Sequence, residues 1–144
     1  MSVHKISNDL KYLEPILRFK VLEMLDQIKA WGLPFAVFET GRSLERQKYI
    51  MSKGYTRTLK SRHLINLDNK ELSTAVDFVY YDNHGWSWDY LKHAMDYDNL
   101  GKIGQRLGLE WGGDWRTFKD YPHFQLCKKD IKMNEKYFKG ELDV

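Results

Sequence analysis

Residues 73–81, STAVDFVYY in one-letter code, constrain the fold more than any other part of the chain. β-Branched and aromatic residues dominate the stretch, so it reads as a strand whose side chains alternate between two faces. Ala75, Asp77 and Val79 share one face, and Val76, Phe78 and Tyr80 share the other. Both faces are apolar. Asp77 therefore sits where a carboxylate is costly unless it is paired, hydrogen-bonded or metal-bound. From the strand alone, a structural Arg partner and a metal or catalytic role both stay open.

The other segments supply partners for such a strand. Leu10, Leu13, Ile16, Leu17, Val21, Leu22, Leu25 and Ile28 recur at helical spacing, with Pro15 opening a helix over about 15–30 and Gly32 and Pro34 closing it. Residues 34–40 read as a short strand. A helix over 43–52 has Ser43 as its cap and Gly54 as its stop. Asp82-Asn83-His84-Gly85 reads as a turn, and 90–107 as a helix weakened by Gly101 and Gly104. Short strands at 109–111 and 123–126 flank the Gly112-Gly113 turn, and the charged tail from 128 to 144 is weakly patterned. Helices first, then strands interleaved with helices, predict one small α+β domain over 1–144, with a short antiparallel sheet flanked by helices and a core from about 10 to 126.

Composition removes several function classes. At 42% hydrophobic and 15% aromatic over 144 residues, the chain has material for a core and is not a disordered polymer. No apolar run approaches the roughly 20 residues of a membrane span. The first residues lack the apolar region of a secretory leader, so synthesis in the cytoplasm is expected. The single cysteine, Cys127, cannot form an internal disulfide and reads as a small core residue. Net charge is only +3, yet 42–62 holds seven Lys/Arg against one acid, a stretch that could attract an anionic wall or nucleic acid. A nucleic-acid partner is not expected from so mild a balance, and a monomer is.

Two further oddities accompany Asp77. His123 lies among aromatics in Asp120-Tyr121-Pro122-His123-Phe124-Gln125, and Ser61-Arg62-His63 lies just upstream of the strand. Two histidines, an aspartate and an additional acid are the minimum parts of a hydrolytic zinc site, since catalytic zinc takes three protein ligands and keeps a position for water. The metal lowers that water's pKa and a carboxylate moves its proton. There is no H-E-x-x-H, no phosphate loop and no G-x-S-x-G elbow. His84 in a turn and His93 on a helix read as ordinary, and Asp96 and Asp98 as a solvated helix face.

These elements resemble the zinc peptidases that cut peptidoglycan stems, the D-alanyl-D-alanine carboxypeptidases and dipeptidases and the phage L-alanyl-D-glutamate endopeptidases. Ser61-Arg62-His63 with Ala75-Val76-Asp77 matches the family's S-x-H-x-x-G-x-A-x-D, and Asp120-Tyr121-Pro122-His123 matches its acid-x-x-His. Leu109-Glu110-Trp111-Gly112-Gly113-Asp114-Trp115 and Thr40-Gly41-Arg42-Ser43 with Glu45-Arg46-Gln47 resemble the phage endopeptidase branch. The order agrees from about residue 34 to 126. One departure stands out. Thirteen residues separate His63 from Asp77 where the family has six, so 65–71 reads as an inserted exposed loop, and Ser73 replaces the usual glycine.

The resemblance implies a hedgehog/D,D-peptidase-like fold, with His63, Asp77 and His123 holding Zn2+. It implies Asp120 as the proton-transferring acid and base, with Glu110 and Asp114 as alternative bases. Arg42 would steady the oxyanion or a stem-peptide carboxylate. Ser61 would hydrogen-bond beside the substrate, and Trp111 and Trp115 would line its groove. The implied activity is zinc-dependent hydrolysis of peptidoglycan, most readily between L-Ala and D-Glu, by an endolysin acting on the wall after release. A D,D-carboxypeptidase or dipeptidase is the rival of the same chemistry. A non-catalytic wall- or nucleic-acid-binding module is the rival of another class, and a His63 displaced by the inserted loop would favour it.

Overall fold

The computed structural model describes residues 5–56 and 58–138. A single turn at Leu10–Tyr12, capped by the Asp9 carboxylate, leads into helix α1 (Pro15–Trp31). Pro15 occupies the first turn, where its missing N–H costs nothing, and Gly32 closes the helix in the left-handed region at φ 64°. Most of the expected stripe is the buried face: Leu13, Leu17, Val21 and Ile28 lie in the core, joined by Met24, while Leu22 turns out to solvent. Strand β1 (Phe35–Glu39) and helix α2 (Leu44–Ser52) follow, with Ser43 Oγ accepting from Arg46 N at 3.0 Å as the anticipated cap.

Strand β2 (Ala75–Asp82) is the spine of a five-stranded antiparallel sheet. β1 pairs along one edge. The other edge is shared, with β5 (His123–Gln125) on the first half of β2 and β3 (Gly85–Ser87) on the second. β4 (Glu110–Trp111) lies outside β5. The turn at 82–85 was legible, but its return strand β3 was not, because three residues give too short a pattern. Val76 and Phe78 of β2, Phe124 of β5 and Trp111 of β4 meet α1 and helix α3 (Ala94–Arg106) in one core. Helix α3 starts later than expected. Residues 90–93 form a turn in which the Tyr90 hydroxyl donates to Asp98 Oδ1 at 2.9 Å.

Two expectations at the C-terminal end need correction. The segment after Cys127 is not a weakly patterned tail: Lys128–Tyr137 forms helix α4, so the packed region extends beyond residue 126. Ile131 packs against the core, and buried Asn134 accepts from Ile16 N at 3.3 Å. Those two positions, one turn apart, are too few to stand out among lysines. Cys127 is half-buried at the head of this helix rather than in the core. Residues 139–144 of the expected tail lie outside the described residues.

Gly101 and Gly104 lower helix propensity, but they are what lets α3 lie against the sheet. A Cβ on Gly101 would fall 2.5 Å from the Trp111 ring, and one on Gly104 would fall 2.3 Å from Phe124. That contact fixes β5, and so His123. Gly104→Ala gains up to about 1 kcal/mol of helix propensity, against about 1–3 kcal/mol or more for overpacking. Its melting temperature is expected to fall by several degrees in a thermal scan. An unchanged or higher value would show that α3 and β5 have room to separate.

Candidate metal centre

The sheet register builds the site. Asp77 stands directly opposite His123 across the β2–β5 pair, so both side chains leave the same face. His123 Nδ1 lies 3.2 Å from Asp77 Oδ1. His63 arrives from a loop pinned at several points. Its carbonyl accepts from Arg42 N at 2.7 Å, its N–H donates to Ser61 Oγ at 3.1 Å, and Ile65 N donates to Arg42 O at 2.9 Å. His63 Nε2 then also reaches Asp77 Oδ1 at 3.2 Å. One donor atom from each of His63, Asp77 and His123 lies within 4.8 Å of the other two.

The long spacing between His63 and Asp77 does not disturb this arrangement. Asn66 and Glu71 exchange two backbone hydrogen bonds of 2.8 Å, with Lys70 in the left-handed region at φ 56°, so the inserted residues close on themselves. Asp68 sits in that loop and takes no part in the cluster.

The remaining ring nitrogens decide what the cluster can hold. His63 Nδ1 donates to the Thr40 carbonyl at 2.8 Å, and His123 Nε2 donates to Gln125 Oε1 at 2.8 Å. Gln125 Nε2 donates to Glu110 Oε1 at 3.2 Å, which fixes the amide's orientation. Each imidazole has thus spent one nitrogen on an acceptor and turns the other toward a single carboxylate oxygen. Such a convergence needs a cation between the groups, either a proton or a metal. Two imidazole nitrogens and a carboxylate suit a divalent transition metal, and the outer partners Thr40 and Gln125 orient the rings for it.

Electrostatics agree. Burial alone would drive Asp77 up, but the His63 charge and the hydrogen bonds of both imidazoles hold it well below the usual carboxylate range. Burial pushes His123 down, and the bond and charge of Asp77, with Asp120, more than reverse this, so its pKa is raised. Without metal, His123 keeps its proton to higher pH than a free imidazole. Asp120 Oδ2 lies 3.9 Å from His123 Nδ1, outside the ligand cluster, on a side chain that remains partly open to solvent. Burial of its inner side and then the charge of Asp77 push its pKa up, against His123, His63 and Arg42.

Other anticipated site residues are placed differently. Trp111 is mostly buried in the core, with Nε1 donating to the Tyr121 carbonyl at 2.8 Å, and the pocket it borders is lined by Tyr90, Asp98, Lys102 and Tyr121 rather than by the cluster residues. Trp115 does flank the centre, its ring 5.2 Å from that of His123. Ser61 Oγ accepts from His63 N and so steadies the turn that carries this histidine. Arg42 is not a free fork, since its Nη2 donates to Glu39 Oε1 at 2.7 Å and its Nη1 to Gln47 Oε1 at 3.0 Å. Glu110 is occupied with Gln125, and Asp114 accepts from Gln105 of α3. Neither belongs to the cluster.

The sequence assigns no role to Glu39, and it shows Thr40 and Gln125 only as motif neighbours, not as the groups that hold the two imidazoles. Glu39 is 2% exposed and accepts from both Arg42 and Arg46 at 2.7 Å. Its spacing of three and seven from those arginines was the available signal. The basic stretch also loses its simple reading. Arg42 and Arg46 are paired internally, and Arg62 donates to Thr74 Oγ1 and the Leu126 carbonyl. Arg57 lies outside the described residues.

Comparison with known proteins agrees with this geometry. Residues 56–126 match a family model described as D-alanyl-D-alanine carboxypeptidase, and this span contains His63, Asp77, Asp120 and His123. The chain is similar in structure to the Serratia marcescens L-Ala D-Glu endopeptidase ChiX, with a TM-score of 0.57 and 31% identity over 85% of this chain and 86% of that one. The chain belongs to this peptidase family. Among curated relatives of the family, it is 31% identical over 107 residues to the L-alanyl-D-glutamate peptidase of Listeria phage A118. It is 30% identical over 110 residues to the peptidoglycan L-alanyl-D-glutamate endopeptidase CwlK of Bacillus subtilis (strain 168). These matches cover 74% and 66% of this chain but only 35% and 62% of the two relatives.

Two measurements on metal binding follow. Gln125→Leu removes the acceptor that orients His123, and loss of such an outer partner typically weakens metal about 10- to 100-fold. Chelator competition should show that loss while circular dichroism stays unchanged, and an unaltered affinity would remove Gln125 from the centre. Because metal must displace the His123 proton, affinity should fall about tenfold per pH unit below the raised His123 pKa. A flat profile from pH 5 to 8 would mean that His123 is not a ligand.

Proposed function

We propose that the chain is a zinc peptidase that hydrolyses an amide of peptidoglycan stem peptides, with the L-Ala–D-Glu bond as its target. The observation that carries this reading is the convergence of His63 and His123 on Asp77, with Asp120 beside the cluster but outside it. The relatives' names supply the bond. His63, Asp77 and His123 would hold the zinc, which when bound supplies Lewis acidity and an acidified water. Asp120 Oδ2, beside the cluster, would accept the proton of the attacking water and deliver it to the departing amine. Its raised pKa, nearer neutrality than an ordinary carboxylate, suits both halves of the transfer. Trp115 forms a wall beside His123. Arg42 acts indirectly, holding the His63 loop through its backbone and placing positive charge near Asp120.

The phage relative supports an endolysin role, with synthesis in the cytoplasm and action on the wall after release. The description of the matched family model favours a second reading, removal of a terminal D-Ala. Mass spectrometry of digested muropeptides separates the two. L-Ala left on the sugar with a new amino-terminal D-Glu supports the endopeptidase, released D-Ala supports the carboxypeptidase, and no product defeats both.

Asp120→Asn keeps the shape and loses the proton acceptor. Turnover should fall about 100- to 10,000-fold, the usual weight of general acid–base catalysis, with zinc content and melting temperature nearly unchanged. Zinc loss in this variant would make Asp120 a ligand instead. His63→Ala should impair zinc binding as much as His123→Ala, and a His63→Ala protein with full zinc would exclude His63 from the centre.

A further inference from the structure

The sheet face that carries Asp77 ends in a cluster of aromatic rings that the core does not use. Asp77, Val79 and Tyr81 alternate onto one face of β2. Trp86 stands opposite Tyr81 across the β2–β3 hairpin, with ring centroids 4.6 Å apart. Phe38 packs edge-on against Trp86 and Trp88, at 5.1 and 5.0 Å. These contacts hold the rings in fixed orientations, yet Tyr81, Trp86 and Trp88 remain 48%, 37% and 53% exposed. None of the four rings belongs to the hydrophobic core. Rings held in fixed orientations and open to solvent offer ready stacking faces to a ligand.

Charge and distance identify what it binds. Residues 82–89 carry Asp82 and Asp89 and no Lys or Arg, so the rim repels anionic polymers and tolerates a neutral one. Exposed ring faces with no cation in the segment that carries them suit a neutral sugar, which offers a C–H face to aromatics. Along β2 the rings begin roughly 13 Å from Asp77, at about 3.3 Å per residue. In a stem peptide, L-Ala is the residue joined to the sugar. An L-Ala–D-Glu amide held at the Asp77–His123 centre therefore brings the glycan strand within about one residue's reach, roughly 3.5 Å, plus the sugar's own linker.

We infer that Tyr81, Trp86 and Trp88 form a platform for the uncharged glycan strand of peptidoglycan, seating the sugar whose stem peptide enters the metal centre. This rests on the peptidoglycan reading for its ligand, but its test does not require catalysis. Chitooligosaccharides, uncharged β-1,4-linked N-acetylglucosamine chains that share the glycan backbone, are titrated into the isotope-labelled full chain, and indole N–H signals are followed by NMR. Trp86 and Trp88 should shift while buried Trp111 does not, and an anionic teichoic acid should move neither. In a second arm, Trp88→Ala should lower hydrolysis of intact wall about tenfold, the worth of one good aromatic contact, and leave cleavage of a free L-Ala–D-Glu peptide unchanged.

Unmoved Trp86 and Trp88 signals at millimolar glycan would overturn the platform, as would equal losses on wall and free peptide. A response to apolar peptides in place of glycan would assign the face to a protein partner and also overturn it. Glycan-induced shifts in a chain that cleaves neither substrate would leave the platform standing and defeat the peptidase reading. Cleavage of both substrates with no glycan response would do the opposite. The wild-type titration needs no substitution, so it decides the question even if Trp88→Ala fails to fold.

Discussion

A carboxylate in the central strand of a sheet is the constraint around which this structure is arranged. Asp77 lies between buried apolar neighbours, and its ionised form is tolerable there because two imidazoles face it at 3.2 Å. Those imidazoles are themselves held from behind, one by the Thr40 carbonyl and the other by Gln125. The result is a preorganised pair of nitrogens and an oxygen, with its orientation fixed by backbone and side-chain hydrogen bonds rather than by the metal alone.

The scaffold behind the site is unusually polar. Glu39, at the end of β1, is buried with Arg42 and Arg46, and the two guanidiniums outweigh burial to keep its pKa low. Buried pairs of this kind add little stability compared with apolar packing, but losing one partner leaves an uncompensated charge costing about 3–5 kcal/mol. Their value here is positional: Arg42 N and O both bind the segment that carries His63. On the opposite face of the sheet, Gly101 and Gly104 allow Trp111 and Phe124 to seat against α3, which sets the height of β5 and its histidine. Charged and apolar supports thus converge on the same three side chains from two sides.

Much of this was legible in the sequence, for identifiable reasons. The α1 stripe, the Ser43 cap and the β2 strand have long or strongly patterned signals, and each appears where its pattern places it. The oddity of an aspartate in an apolar strand pointed to the site before any contact was known. What could not be read were features set by tertiary context. Trp111 looks like a groove residue in the motif but is core, because a two-residue strand gives no face to assign. Arg42 looks like a free guanidinium because the burial of Glu39 is invisible at a strand's end. Gln125 has no local signal; it matters because β5 places it two residues beyond His123, on the same face. Helix α4 was missed because its buried side has only a few residues.

The His63, Asp77 and His123 side chains could hold a metal ion, so the location of a bound metal is the decisive observation. Crystals of the zinc-loaded full chain, measured on both sides of the zinc absorption edge, would locate it directly. One anomalous peak about 2.0–2.2 Å from His63 Nε2, an Asp77 carboxylate oxygen and His123 Nδ1 is the expected result. A peak coordinated by Asp120 or Glu110 in place of His63, or zinc bound only away from Asp77, would contradict it.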